Sequence, residues 1–208
     1  LDALDGRIAR LIKGTSEFGK ELDSLTDFVS FGIAPVFILY FWELNNYGKL
    51  GWAISLIYSV CCVLRLARFN LTKIEESQKW KNNFFEGIPS PAGGLLILMP
   101  LIYELTDLNI GVNIKYLTPY LTILIAILLV SKVPTFALKK ISISPKATVF
   151  LLLGVGIVFI SLLFYTLKTL LVFGIIYLIS IPVSFFIYNN QSKKYTDKTT
   201  EENREDVL

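Results

Sequence analysis

A chain of 208 residues that is 53% hydrophobic and 18% charged, with a mean hydropathy of +0.58, is too apolar for a soluble domain. The net charge is only +3, and there is no histidine, which excludes imidazole bases, histidine metal ligands and every Ser-His or Cys-His arrangement. A hydrocarbon core about 30 Å thick takes roughly 20 apolar residues per helical span, so the length leaves room for a polytopic bundle and for no sizeable soluble domain beside it.

In chain order, Gly19 to Asp27 has helical spacing and no breaker, and it leads into a first apolar run, Asp27 to Trp42. Further runs follow at Leu50 to Leu64, Pro91 to Leu105, Tyr116 to Val133, Ala147 to Leu167 and Leu170 to Ser184. The expected fold is therefore all-α, a transmembrane helical bundle with six visible spans. The third run is short, so it either borrows flanking residues or enters tilted. The adjacent Cys61 and Cys62 lie inside an apolar run, where they read as packing residues. Lys and Arg in the successive segments between the runs number four, one, five, one, four, one and four when Lys132, at the end of the fourth run, is counted with the segment that follows it. This alternation places both ends of the chain, with Arg65, Arg68 and Lys132, on the cytoplasmic side, and Lys49, Lys115 and Lys168 outside. No basic stripe is interleaved with stacking aromatics, so nucleic acid is not an expected partner. Residues 1–188 form the expected membrane domain. Residues 189–208 mix Lys, Glu, Thr and Asn without apolar periodicity and read as a disordered cytoplasmic tail.

The chemistry concentrates at the front, LDALDGRIARLIKGTSEFGKELDSLTDFVSFG. At 100° per residue Asp2, Asp5 and Ala9 share one helix face, and Gly19, Asp23 and Asp27 share a face of the next helix. Two acid pairs can thus meet across a helical hairpin. Like charges about 6 Å apart repel by about 3 kcal/mol at an effective dielectric of 20, so clustered carboxylates beside a membrane call for protonation or bound cations. Oxygen-only ligands suit Mg²⁺ or Mn²⁺, and two such ions could grip a diphosphate and leave one carboxylate free to take a proton.

The pattern DxxDGxxAR, eight residues, then GxxxDxxxD resembles the signature of the CDP-alcohol phosphotransferases at every position, with Asp2, Asp5, Gly6, Ala9, Arg10, Gly19, Asp23 and Asp27 as its fixed residues. Members of that family are multi-span helical enzymes that displace CMP from a CDP-linked lipid by an alcohol, using two divalent metal ions. The resemblance implies that Asp2, Asp5, Asp23 and Asp27 are metal ligands, Asp27 being also the general base. It implies that Gly6, Ala9, Arg10 and Gly19 contact the CDP-diacylglycerol donor, where a missing Cβ lets the diphosphate approach and a planar guanidinium meets its oxygens. It further implies a homodimer, and apolar sequence before the first aspartate of the motif, so one or more N-terminal helices are expected ahead of Leu1.

Two later segments, LRLARFN (Leu64 to Asn70) and FFEGIPSPAGG (Phe84 to Gly94), resemble those of the integral-membrane phosphatidylserine synthases within that family. The implied acceptor is L-serine, a zwitterion that needs a fixed cation and oxygen acceptors. Arg65 and Arg68 are candidates for the cation, and Asn70, Glu86 and Ser90 for polar contacts. Pro89, Ser90 and Pro91 predict a rigid, non-helical lead into the third run, which is tolerated at membrane depth where it lines a polar cavity. The expected location is a bacterial plasma membrane, with the site facing the cytoplasm. The competing expectations are the same transfer to glycerol phosphate, inositol phosphate or choline, and an ion-coupled transporter using the same acids.

Overall fold

The structure, a computed structural model, describes residues 17–71, 84–106, 113–136 and 145–205. It is all-α apart from one short strand pair. α1 (Glu17–Asp27) runs through a π-helical turn (Phe28–Ile33) into α2 (Ala34–Trp42), and a 3₁₀ turn (Leu44–Tyr47) leads to α3 (Lys49–Leu71). β1 (Phe84–Glu86) precedes α4 (Ser90–Ile97) and α5 (Met99–Leu105). A second 3₁₀ turn (Ile114–Leu117) opens α6 (Thr118–Val130), which is followed by β2 (Pro134–Phe136), α7 (Pro145–Phe164) and α8 (Thr166–Glu205).

All six apolar runs are helical, but by length and composition three stretches among the described residues can cross a membrane: Glu21–Trp42, Lys49–Asn70 and Thr166–Asn189. Ile114–Val130 and Phe150–Phe164 are apolar and shorter. The third run is broken at Leu98 into α4 and α5. Pro100 explains the break: it has no N–H for the carbonyl of Leu96 and its ring crowds that carbonyl, so it is tolerated only in the first turn of a new helix. α8 continues through the polar stretch after Asn189 to Glu205, where the composition suggests an unstructured tail. Extending a helix already nucleated by an apolar span costs little per residue, and this is the physical reason for the difference.

The core gathers Val36, Leu39, Tyr58, Cys62, Leu96, Ile97, Ile125, Ala126 and Leu129, from α2, α3, α4 and α6. Outward faces are largely apolar, Phe150, Leu152, Phe159 and Phe164 on α7 and Ile176, Ile179 and Phe186 on α8 among them. Such a surface is stable only in an apolar solvent. Both cysteines are unbridged, Cys62 buried and Cys61 half-buried, in keeping with packing roles.

The strands pair antiparallel with Phe84 opposite Phe136, Phe85 opposite Thr135 and Glu86 opposite Pro134, a pairing that hydropathy does not foretell. Just beyond it, Gly87 adopts φ +74, and an added Cβ would stand 2.8 Å from the Ser131 carbonyl oxygen and 2.9 Å from that of Leu129. Only glycine fits there. The Gly87 N–H donates to the Val133 carbonyl at 2.9 Å, and the Thr135 hydroxyl donates to the Gly87 carbonyl at 2.8 Å. Pro89, extended at φ −60 and ψ 143, then starts α4. The rigid, non-helical lead expected from the Pro-Ser-Pro run is thus present, fastened to the end of α6 and to β2.

Candidate active site

Gly19, Asp23 and Asp27 lie on α1 at one-turn spacing, as the sequence expects, with Asp23 exposed and Asp27 half-buried. Asp27 ends α1, directly before the π-turn. The turn has a local cause. Pro35 has no N–H to give to the carbonyl four residues back, so the Phe31 oxygen loses its helical donor. The Tyr58 hydroxyl on α3 supplies a replacement, donating to that oxygen at 2.9 Å from a fully buried side chain. Gly32 and Gly94 let the turn nest closely: a Cβ on Gly32 would meet the Phe28 ring at 2.7 Å and the Cys62 sulfur at 3.1 Å, and one on Gly94 the Phe31 backbone at 3.2 Å.

Arg65 is a cation only 9% exposed near the end of the α3 span. Its Nε donates to the Ile88 carbonyl at 2.9 Å, and its guanidinium carbon lies 5.2 Å from the centre of the Phe69 ring. Asp27, Cys62 and Tyr177 are all within its electrostatic reach. Among the described residues Asp27 is the acid within its electrostatic reach. Ser90, 1% exposed, faces the Cys62 thiol.

The other two acceptor candidates are engaged in holding elements together. Arg68 donates from Nη1 to the Val130 carbonyl at 2.7 Å, capping the C-terminus of α6 where a cation also meets the helix dipole favourably. Asn70 donates from Nδ2 to Ser24 Oγ at 2.9 Å and so fastens α1, between Asp23 and Asp27, to the end of α3. Asp2, Asp5, Gly6, Ala9 and Arg10 lie outside the described residues, and the side chain of Glu86 does as well. Among the described residues no group of three or more His, Cys, Asp or Glu side chains is close enough to hold a metal. Asp23 and Asp27, oxygen donors one helical turn apart, are chemically suited to a hard divalent cation and supply half of the expected aspartate set.

Two side chains at this centre were missed from sequence. Tyr177 on α8 and Thr135 on β2 lie beside Arg65 and Gly87, and a phenol in the middle of an apolar span was the available signal for the first.

Asp27 at the end of α1 and the buried Arg65 within its electrostatic reach form a polar centre in an otherwise apolar helical bundle. The chain matches the CDP-alcohol phosphatidyltransferase family over residues 1–186 and belongs to that family, whose enzymes are transferases of phospholipid synthesis. Among curated relatives, CDP-diacylglycerol–serine O-phosphatidyltransferase of Helicobacter pylori (strain J99) is 34% identical over 195 residues, covering 92% of this chain and 81% of the relative. The enzyme of the same name from Mycobacterium leprae is 38% identical over 149 residues, covering 70% of this chain and 48% of the relative. That of Methanocaldococcus jannaschii is 42% identical over 98 residues, covering 47% and 43%.

Proposed function

We propose that the chain transfers the phosphatidyl group of CDP-diacylglycerol to the hydroxyl of L-serine, giving phosphatidylserine and CMP. The observation that carries this reading is the placement of Asp27, at the end of the acidic face of α1, within electrostatic reach of buried Arg65, which is itself bonded to the fastened Gly87–Pro89 segment. The shared name of the relatives supports serine as the acceptor.

In this mechanism Arg65 draws in the acceptor carboxylate, and Asp27 takes the proton of the acceptor hydroxyl as its oxygen attacks the lipid-side phosphorus. The bond from that phosphorus to the bridging oxygen breaks, and CMP departs with the electron pair. Gly6, Ala9, Arg10 and Gly19 are assigned to the donor, with Arg10 against diphosphate oxygens. Arg68 and Asn70 hold the walls of the site, and Ser90 offers a hydroxyl to the acceptor. Two Mg²⁺ or Mn²⁺ ions, held by Asp2, Asp5, Asp23 and Asp27, would neutralise charge on the diphosphate. The same reading takes residues 1–188 as one catalytic membrane domain with six spans, works as a homodimer in a bacterial plasma membrane, and faces the site to the cytoplasm.

The test is CMP release from purified full-length protein in lipid, supplied with CDP-diacylglycerol and one alcohol at a time. Serine is expected to drive release, and thorough chelation to stop it until Mg²⁺ or Mn²⁺ is restored. Release driven instead by glycerol phosphate, inositol phosphate or choline would overturn the acceptor assignment. Release that survives chelation would overturn the metal assignment.

A further inference from the structure

Two buried hydroxyls at the centre have no hydrogen bond. Ser90 Oγ and the Tyr177 phenol oxygen are both shut off from solvent and lack a partner of acceptable geometry. The nearest groups do not satisfy them. Ser90 faces the Cys62 thiol, a weak partner. Tyr177 lies beside Thr135, which is 2% exposed and directs its hydroxyl hydrogen to the Gly87 carbonyl. Leaving a polar group buried and unpaired is unfavourable, and such groups are uncommon enough in native proteins to need a reason.

Arg65 supplies the third feature. Its Nε is used on Ile88, while its two terminal nitrogens make no hydrogen bond among the described residues. A guanidinium fork with free ends, in a centre that also holds two oxygens able to accept, is complementary to a small zwitterion: the fork pairs with a carboxylate, and the oxygens accept from an ammonium. Tyr177 comes from α8, Ser90 from the start of α4 and Arg65 from α3; Arg65 has Tyr177, Cys62 and Asp27 within electrostatic reach, and Ser90 faces that same Cys62 thiol.

We infer that Tyr177 is a specificity-determining residue, its phenol oxygen reading the ammonium group of the acceptor together with Ser90 Oγ while Arg65 reads the carboxylate. This rests on the serine-transfer reading and adds to it a recognition group on the last helix. The unpaired hydroxyls are the cost of a site held ready for a charged donor. A site built to bond a substrate N–H discriminates strongly against an analogue lacking it.

The experiment uses the full-length protein in lipid with CDP-diacylglycerol and compares wild type, Tyr177→Phe and Ser90→Ala. Melting temperature is read alongside kinetics, because removing an unpaired buried hydroxyl leaves stability unchanged or raises it, whereas removing a structural hydrogen bond lowers it. For Tyr177→Phe the expected result is a rise of about tenfold in the KM for serine, an unchanged KM for CDP-diacylglycerol and no fall in melting temperature. Ethanolamine, which lacks the carboxylate, and 3-hydroxypropionate, which lacks the ammonium, are then measured as competitors of serine. Tyr177→Phe should weaken ethanolamine and spare 3-hydroxypropionate, and Ser90→Ala should shift the two in the same sense. A serine KM within twofold of wild type in both variants, or equal weakening of both competitors, overturns the inference while serine-driven CMP release by the wild type leaves the underlying reading intact. Absence of that release in the wild type overturns the reading itself, and the inference with it.

Discussion

Asp27 occupies the last position of α1, with a buried guanidinium within electrostatic reach and a distorted turn directly after it. Asparagine keeps its shape and removes its ability to take a proton. Asp27→Asn is expected to lower CMP release by about 10²–10⁴-fold, the usual weight of general base catalysis, with the melting temperature in detergent close to that of wild type. A variant with near-normal turnover would remove the base assignment. Gly87 is a residue-scale feature of another kind, since both its φ of +74 and the carbonyls 2.8 and 2.9 Å from an added Cβ forbid a side chain. Gly87→Ala is expected to cost about 2 kcal/mol or more in thermal unfolding, as backbone must move to relieve it. Gly174→Ala should be far milder, because the neighbour it meets is the flexible thioether of Met99. The shared helix face of Asp23 and Asp27 was legible in the sequence because their one-turn spacing fixes it. Tyr177 and Thr135 were not, because neither belongs to a spaced pattern and their roles exist only where α8 and β2 meet the Gly87 segment.

At the scale of elements, hydropathy located the apolar helices among the described residues and said little about how each is built. It reports burial, and backbone register is invisible to it. The π-turn follows from Pro35 withholding a donor from Phe31, and the break at Leu98 from Pro100, so both prolines were in view while their consequences depended on which helix packs alongside. Tyr58 makes the first of these tolerable. Tyr58→Phe keeps the ring and leaves the Phe31 carbonyl buried without its donor, which is expected to destabilise the protein by about 1–3 kcal/mol. Thermal unfolding of the variant measures this, and a loss near zero would show that another group can satisfy the carbonyl. Because the turn begins immediately after Asp27, a fall in kcat at unchanged KM for serine should accompany the loss of stability.

For the whole molecule, two polar ends can be told apart. At one, Lys115 pairs with Glu104 at 2.7 Å and stands 5.8 Å from the centre of the Trp42 ring, joining the end of α2, the end of α5 and the start of α6. At the other, Arg68 caps α6 and Asn70 reaches Ser24, beside the acidic face of α1. The sparse lysines Lys49, Lys115 and Lys168 alternate along the chain with the basic segments, and the positive-inside rule leads to the expectation that the second end faces the cytoplasm. In intact cells, cysteine introduced at the exposed positions Lys49 and Lys168 is expected to react with a membrane-impermeant maleimide, and cysteine at Lys132 only after permeabilisation. The native Cys61 and Cys62, within the α3 span, should stay unlabelled in both conditions. The reverse pattern would set Asp27 and Arg65 against the outer leaflet, and the nucleotide product would then have to be released away from the compartment that the positive-inside asymmetry assigns to this end.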